Sequence, residues 1–348
     1  MASTKSRRGV AWPGLIGILI SIGFLWWALH DVSLSELVEH ARHTRVLPLV
    51  AGVAFVTLAF PLRTIRWRYL LQHQGEKLPF VPLWHATAIG FMANNLLPAR
   101  AGEVARVYAA GKLTRASYSA SFASVAIERV FDGLSLATLM TIAVAAGGFD
   151  ANSNIAGISI EQITKGATGI FLLALLIAGA AVHWSDKSVE ISTNVLTRIL
   201  PDKLASRISG VVVGLFSGLD SLKSPARLAA IVFWSLAVWI ANGAGFWLAF
   251  YALGIDVPWT GAYLLQAVIA FGIAVPSSPG YFGPFEAFTR ATLSLYGVPV
   301  ALSVSYAVIF HLASFIPITL LGLYSLSRAH MHISDIASGA EPVRSDSQ

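Results

Sequence analysis

Asn94-Asn95-Leu96-Leu97-Pro98-Ala99-Arg100-Ala101-Gly102-Glu103 and Pro276-Ser277-Ser278-Pro279-Gly280-Tyr281-Phe282-Gly283-Pro284-Phe285-Glu286 are polar, Gly- and Pro-bearing breaks in otherwise hydrophobic stretches. Each ends in a Glu that opens a new helical run, and an Arg follows closely, Arg106 in the first and Arg290 in the second. Glu103 and Glu286 lie 183 positions apart. In a lipid-embedded chain, broken backbone and charge are costly unless they face protein or water. Two such breaks at corresponding places in two halves are the pattern of a transporter binding site.

The surrounding composition supplies the membrane. Hydrophobic residues make up 55% of the 348 and charged residues only 12%. Mean hydropathy is +0.68. A soluble domain carries about 25% charged residues, so an integral helical membrane protein is expected. With no Cys, disulfides, thiol catalysis and Cys-based metal sites are excluded. The net charge of +6 resides in Lys and Arg placed mostly between spans. It is therefore read as topology and attraction to anionic lipid headgroups, not nucleic acid. Lys5, Arg7 and Arg8 precede the apolar run Ala11–Leu29, which is too long for a signal-peptide core and is read as an uncleaved first span.

Full spans are predicted at 11–29, 46–66, 117–147, 163–184, 226–253 and 300–327, with two further apolar segments, 80–97 and 259–275, running into the breaks. Positive charge before the first span, after the second (Arg63, Arg66, Arg68, Lys77), in 185–224 and at Arg328 places those ends in the cytoplasm. Loop 148–162, with Asp150, Glu161 and no Lys or Arg, is placed outside. Segments 80–116 and 259–298 must then enter and leave on one side, the first from the cytoplasm and the second from outside. The predicted fold is all-α: a polytopic helical membrane protein with two inverted repeats, 46–147 and 226–327, each containing a re-entrant broken-helix hairpin. Residues 1–10 form a cytoplasmic N-terminus, 11–327 the transmembrane domain, 185–224 an amphipathic linker on the inner leaflet, and 328–348 a disordered cytoplasmic tail.

The repeat extends to a second register. Glu128 follows Glu103, and His311 follows Glu286, by 25 residues in both cases. Each sits 11 residues into its predicted span, roughly 16 Å deep at 1.5 Å per residue. In Glu128-Arg129-Val130-Phe131-Asp132 the two acids share a helix face and Arg129 reaches Asp132. Such a cluster either locks helices together or lines a substrate or proton path, and Arg129 would grip phosphate or carboxylate through its planar fork. Arg100, Arg106 and Lys112 with Glu103 form a cationic patch beside a fresh helix N-terminus, either positive-inside anchoring or an anion site. At the second break Glu286 is the titratable group, and His311 is either a packed histidine or a proton relay. The candidate substrate-binding residues are therefore Asn94, Asn95, Arg100, Glu103, Arg106, Glu128, Arg129, Asp132, Glu286, Arg290 and His311. Pro98, Gly102, Pro276, Pro279, Gly280 and Gly283 provide the breaks. No nucleotide, serine-hydrolase or zinc-protease signature is present, so no catalytic residue, metal or cofactor is expected.

In these three stretches the chain resembles the lysylphosphatidylglycerol synthase transmembrane-region family, also called the flippase-like domain or UPF0104 family, over residues 10–327. The resemblance implies a multi-pass bacterial inner-membrane protein that handles lipids. In bifunctional relatives the region is linked to moving aminoacylated phosphatidylglycerol and is followed by a soluble aminoacyl-transferase domain. Nothing after Ser327 matches such a domain, so lysyl transfer is not expected. Stand-alone relatives are linked to isoprenoid, hopanoid or glycolipid pathways. The expectation is a lipid flippase for an anionic phospholipid or isoprenoid-linked substrate, both termini cytoplasmic, with membrane lipids and envelope-lipid biosynthesis enzymes as partners. The alternative is a membrane-embedded lipid-modifying transferase or its accessory subunit.

Overall fold

The structure, a computed structural model, describes residues 12–71, 78–97, 100–114, 116–147, 153–155, 157–183, 190, 194–198, 209, 223–273 and 278–333. Pro98, Pro276, the N-terminal ten residues, most of the linker 185–224 and most of the tail 328–348 lie outside these residues. The helices are α1 (Trp12–Leu29), α2 (Leu34–His43), α3 (Val46–Leu71), α4 (Phe80–Leu96), α5 (Ala101–Thr114), α6 (Tyr118–Gly147), α7 (Ile160–His183), α8 (Pro225–Leu253), α9 (Trp259–Gly272), α10 (Pro284–Leu293) and α11 (Val300–Arg328). A two-stranded antiparallel ribbon, Asn154–Ile155 with Ile158–Ser159, precedes α7. This is the one departure from an all-helical description among the described residues.

Among the described residues, five helices, α3, α6, α7, α8 and α11, are long and apolar enough to cross a membrane. The sequence-predicted span 11–29 corresponds to α1, which turns through a 76° bend into α2; the two count as a sixth if taken as one broken span. Local chemistry sets the ends. Ser33 caps α2 in a reciprocal pair with Glu36, whose carboxylate accepts the Ser33 N–H at 2.9 Å. Pro225 opens α8, and Gly254, left-handed at φ 70°, closes it. Large apolar side chains such as Leu172, Leu173, Leu176 and Phe233 remain exposed on the outer faces, as lipid-facing surface requires.

Small residues determine how closely the helices approach. α3 makes its most extensive contact with α8. A Cβ on Gly52 would lie 2.7 Å from the Gly245 carbonyl oxygen, and one on Gly245 would lie 2.7 Å from that of Gly52. Val56 also meets Gly245, and Arg66 meets Ser235, so positions rise on α3 as they fall on α8 and the helices are antiparallel. α4 and α5 form an antiparallel hairpin in which Gly90 abuts Gly102 and Arg106. α9 and α10 form a second, with Gly261 against Tyr296 and Gly272 against Phe288. The hairpins are exchanged between the halves: α4 packs on α11, and α9 on α6. Among the described residues three apolar clusters fill the interior, the largest around Trp67, Ile89, Met92 and Phe131.

Candidate functional site

The two breaks meet. Arg100, left-handed at φ 54°, stands at the tip of the first hairpin and donates from Nη2 to the Ile273 carbonyl at 2.6 Å. Ile273 is the C-cap of α9, at the tip of the second hairpin. Three consecutive chemical devices shape that second tip. Pro279 opens a 3-10 turn, and Gly280 and Tyr281 follow at φ 69° and 62°. Gly283 (φ 98°) caps α10, donating its N–H to Glu286 Oε2 at 2.6 Å. A Cβ on Gly283 would fall 2.2 Å from the Ser21 carbonyl oxygen of α1, so only glycine fits there.

Between the tips and the long helices lies a cavity of about 460 Å³, within the range of small-ligand pockets. One side of it is charged. Glu128 Oε1 accepts from Arg129 Nη2 at 2.6 Å and Arg106 Nη1 at 2.9 Å, and lies 3.2 Å from Arg66 Nη2. Asp132 Oδ1 accepts from Arg66 Nη1 at 2.6 Å and Trp239 Nε1 at 2.9 Å. Its Oδ2 lies 3.2 Å from Arg129 Nη2 and 3.6 Å from Arg63 Nη1. Glu103 approaches Arg129 at 3.9 Å. Arg66, Arg63, Arg106, Glu128 and Asp132 are buried, whereas the Arg129 side chain keeps 41% of its surface exposed. Arg106 lies over the Trp67 ring at 3.7 Å, and Arg63 over Trp239 at 4.9 Å, contacts that hold the two guanidinium groups in place.

Charge in this cluster does not cancel. Four guanidinium groups (Arg63, Arg66, Arg106, Arg129) face three carboxylates (Glu103, Glu128, Asp132), leaving one positive charge in excess, and Arg100 at the tip adds a second. Nε and Nη2 of Arg106 and Nε of Arg100 and Arg129 have no hydrogen-bond partner in the protein. All three arginines line the cavity. These N–H groups are shielded from solvent, as are Glu128 Oε2 and Asp132 Oδ2, which also lack hydrogen-bond partners; what the cavity itself presents is the excess positive charge of its arginines. The remaining wall is amide and aromatic, including Asn94, Asn95, Asn242, Gln266, Tyr281, Phe246, Phe285 and Phe315.

Of the sequence-predicted residues, Asn94, Asn95, Arg100, Gly102, Glu103, Arg106, Arg129, Asp132, Gly280 and His311 line the cavity. Glu128 lies directly behind Arg106 and Arg129. Glu286 lies behind His311, whose Nδ1 is 2.7 Å from Glu286 Oε1. Several expectations are corrected. Arg290 takes no part in the lining: it binds the Trp27 and Ala28 carbonyls and Asp31 at 2.7, 3.1 and 2.6 Å, strapping α10 to the end of α1. Lys112 is exposed in the last turn of α5, away from the cavity. The N-terminus of α5 is not open to an anion, because Asn94 Oδ1 accepts the Gly102 N–H and Arg100 O accepts that of Glu103. Arg63 and Arg66, read as cytoplasmic end markers, are instead buried counter-ions of Asp132 and Glu128. Their sequence signal was available: an i,i+3 Arg pair on one helix face, within an apolar run. Trp239 and Gln266 carried no such signal.

A model of the lysylphosphatidylglycerol synthase TM region matches residues 14–322. Glycosyltransferase AglD of Haloferax volcanii is 30% identical over 296 residues, which are 76% of this chain and 46% of that protein. This chain thus spans about half the length of that relative. A UPF0104 membrane protein of Pyrococcus horikoshii is 22% identical, covering 88% of this chain and 93% of its own length. One from Methanothermobacter thermautotrophicus is 24% identical over 86% and 91%.

Proposed function

Because the chain belongs to the lysylphosphatidylglycerol synthase transmembrane-region family and is a multi-pass integral membrane protein, we propose that it is a flippase for an anionic lipid. The substrate class is a phospholipid or an isoprenoid-linked phosphate. One observation supports this above others: both chain breaks contribute to a single cavity lined by four arginines against two carboxylates on one side and by aromatic walls on the other. The headgroup phosphate binds Arg100, Arg106 and Arg129, and the tails stay in lipid. Glu103, Glu128 and Asp132 keep the cluster near neutrality, so that release is not prohibitively slow.

Alternating exposure follows from an inverted repeat with two re-entrant hairpins. The antiparallel packing of α3 on α8 and the exchange of hairpins between halves support this arrangement. So do the hairpin helices themselves, 17, 14, 14 and 10 residues long. At 1.5 Å per residue they reach roughly 15–26 Å, short of the ~30 Å hydrocarbon core. The protein resides in the inner membrane with both termini cytoplasmic and works beside envelope-lipid biosynthesis enzymes. Single cysteines replacing Ser119 and Asp256 should label from opposite sides, and one at Ser327 from the side of 119; labelling of 119 and 256 from one side would remove the inverted repeat.

The decisive experiment uses purified protein in liposomes with labelled anionic lipid and a membrane-impermeant quencher. Accelerated exposure, slowed by Arg129→Lys, is expected, since Lys keeps the charge and loses the fork. No acceleration with phospholipids or polyprenyl phosphates would favour the second reading, a membrane-embedded lipid-modifying transferase or its accessory subunit. That reading draws on the printed name of the Haloferax relative, and a mass change of the lipid in the same liposomes would identify it.

A further inference from the structure

We propose that His311 and Glu286 form a proton-binding site that locks the second chain break in the conformation seen. Hydrogen-bond chemistry locates the proton. His311 Nε2 faces the Gly280 carbonyl at 2.9 Å. A carbonyl only accepts, so Nε2 carries a hydrogen. Glu286 Oε2 accepts the Gly283 N–H at 2.6 Å, a role that places any carboxyl proton on Oε1, facing His311. His311 Nδ1 and Glu286 Oε1 are 2.7 Å apart. A neutral imidazole with its hydrogen on Nε2 and an ionised carboxylate would present two lone pairs to each other at that distance. One further proton between Nδ1 and Oε1 is therefore part of this conformation, as imidazolium–carboxylate or its neutral equivalent.

The surroundings favour the same assignment. The His311 ring is held between Phe282 and Phe285, with centroids at 4.5 and 4.2 Å and near-parallel planes, which fixes its edge toward Glu286. His311 lines the cavity, so the pair is reached from the cavity side, while Glu286 is 1% exposed. Other titratable and charged groups do not substitute for it. Tyr281 and Arg100 face the cavity from the tips, and Arg63, Arg106, Arg129, Glu103 and Asp132 from the long helices and the first hairpin. Arg290 of α10 is committed to α1. His40 and His85, from α2 and α4, bond to Ser305 and Ser325 elsewhere along α11.

Loss of the proton sets Nδ1 against Oε1 and loosens both bonds that fix the tip, at the Gly280 carbonyl and the Gly283 N–H. Proton binding and tip position are therefore linked equilibria. That this linkage drives transport rests on the flippase reading; the linkage itself does not.

The test is hydrogen–deuterium exchange of amides 278–286 in the full chain in lipid nanodiscs, without substrate, from about pH 5 to 9. After correction for intrinsic exchange, protection should fall about tenfold per pH unit once the proton leaves, the slope of a single proton. In Glu286→Gln the amide donates to Nδ1 and accepts from Gly283, so the lock persists without a titrating proton and the profile should flatten. His311→Gln removes the titrating ring and should also flatten it. A flat wild-type profile, or wild-type pH dependence retained in both variants, would overturn the proposal. Failure of lipid exchange in liposomes with a pH-dependent tip would overturn the transport reading alone.

Discussion

The two chain breaks occupy corresponding positions and are built from different chemistry. At the first, Glu103 and the residue 25 positions on, Glu128, join arginines from three helices, α3, α5 and α6. At the second, Glu286 and its counterpart His311 pair with each other, with a backbone carbonyl and with a backbone N–H. The first region carries surplus positive charge and buried guanidinium and carboxylate atoms without hydrogen-bond partners; the second satisfies its groups internally with one proton. An anion is the species proposed for the first region, and a proton is the species proposed for the second. The two regions, proposed as a headgroup site and a titrating lock, meet across the Arg100–Ile273 hydrogen bond.

The largest effect expected is at the charged region. Arg66 is fully buried and bridges Glu128, Asp132 and Ser235. Arg66→Met should destabilise the protein by about 3–5 kcal/mol, because it strips a buried partner from two carboxylates. Loss of the folded, monodisperse fraction on heating in detergent would record it, and near wild-type stability would break the account of the cluster. Arg129→Ala should act differently. Glu128 retains Arg66 and Arg106, and Asp132 retains Arg66 and Arg63. The fold should therefore survive while lipid exchange drops by about 100-fold or more, as loss of a desolvated charge clamp predicts. Equal damage to stability and exchange would make Arg129 a packing residue.

Glycine substitutions sharpen the contrast between the tips. Gly283→Ala meets the Ser21 carbonyl and a φ of 98° at once, a cost of about 2–4 kcal/mol from clash and backbone strain. Gly102→Ala meets the Gly90 carbonyl and Asn94 but at an ordinary helical φ, costing about 1–3 kcal/mol. Thermal unfolding of the two variants should rank them in that order. The smallest effect is expected at Arg290→Ala. Its ion pair with Asp31 is half exposed on the acid's side, so a loss of about 1 kcal/mol or less is expected, with exchange unchanged. A large drop in exchange would return Arg290 to the site.

Much of this molecule was legible along the chain. Predicted spans 117–147, 226–253 and 300–327 match α6, α8 and α11 to within one residue at each end. Hydropathy, capping residues and Gly/Pro punctuation depend only on neighbours in sequence, and those set helix position and length. The breaks were legible for the same reason. The roles of individual charges were not. An arginine near the end of an apolar run has the same local signature whether it faces water, as a topology marker would, or a carboxylate 66 positions away, as Arg66 does at Asp132. Arg290 and Lys112 share the motif's neighbourhood, yet one straps α1 and the other stays exposed. By itself the sequence determined a mostly helical membrane chain with two breaks of like composition. Tertiary packing alone decided that the breaks touch, which arginines are neutralised, and where positive charge is left over. Desolvation makes every buried charge find a partner, and that partner is chosen by distance in space.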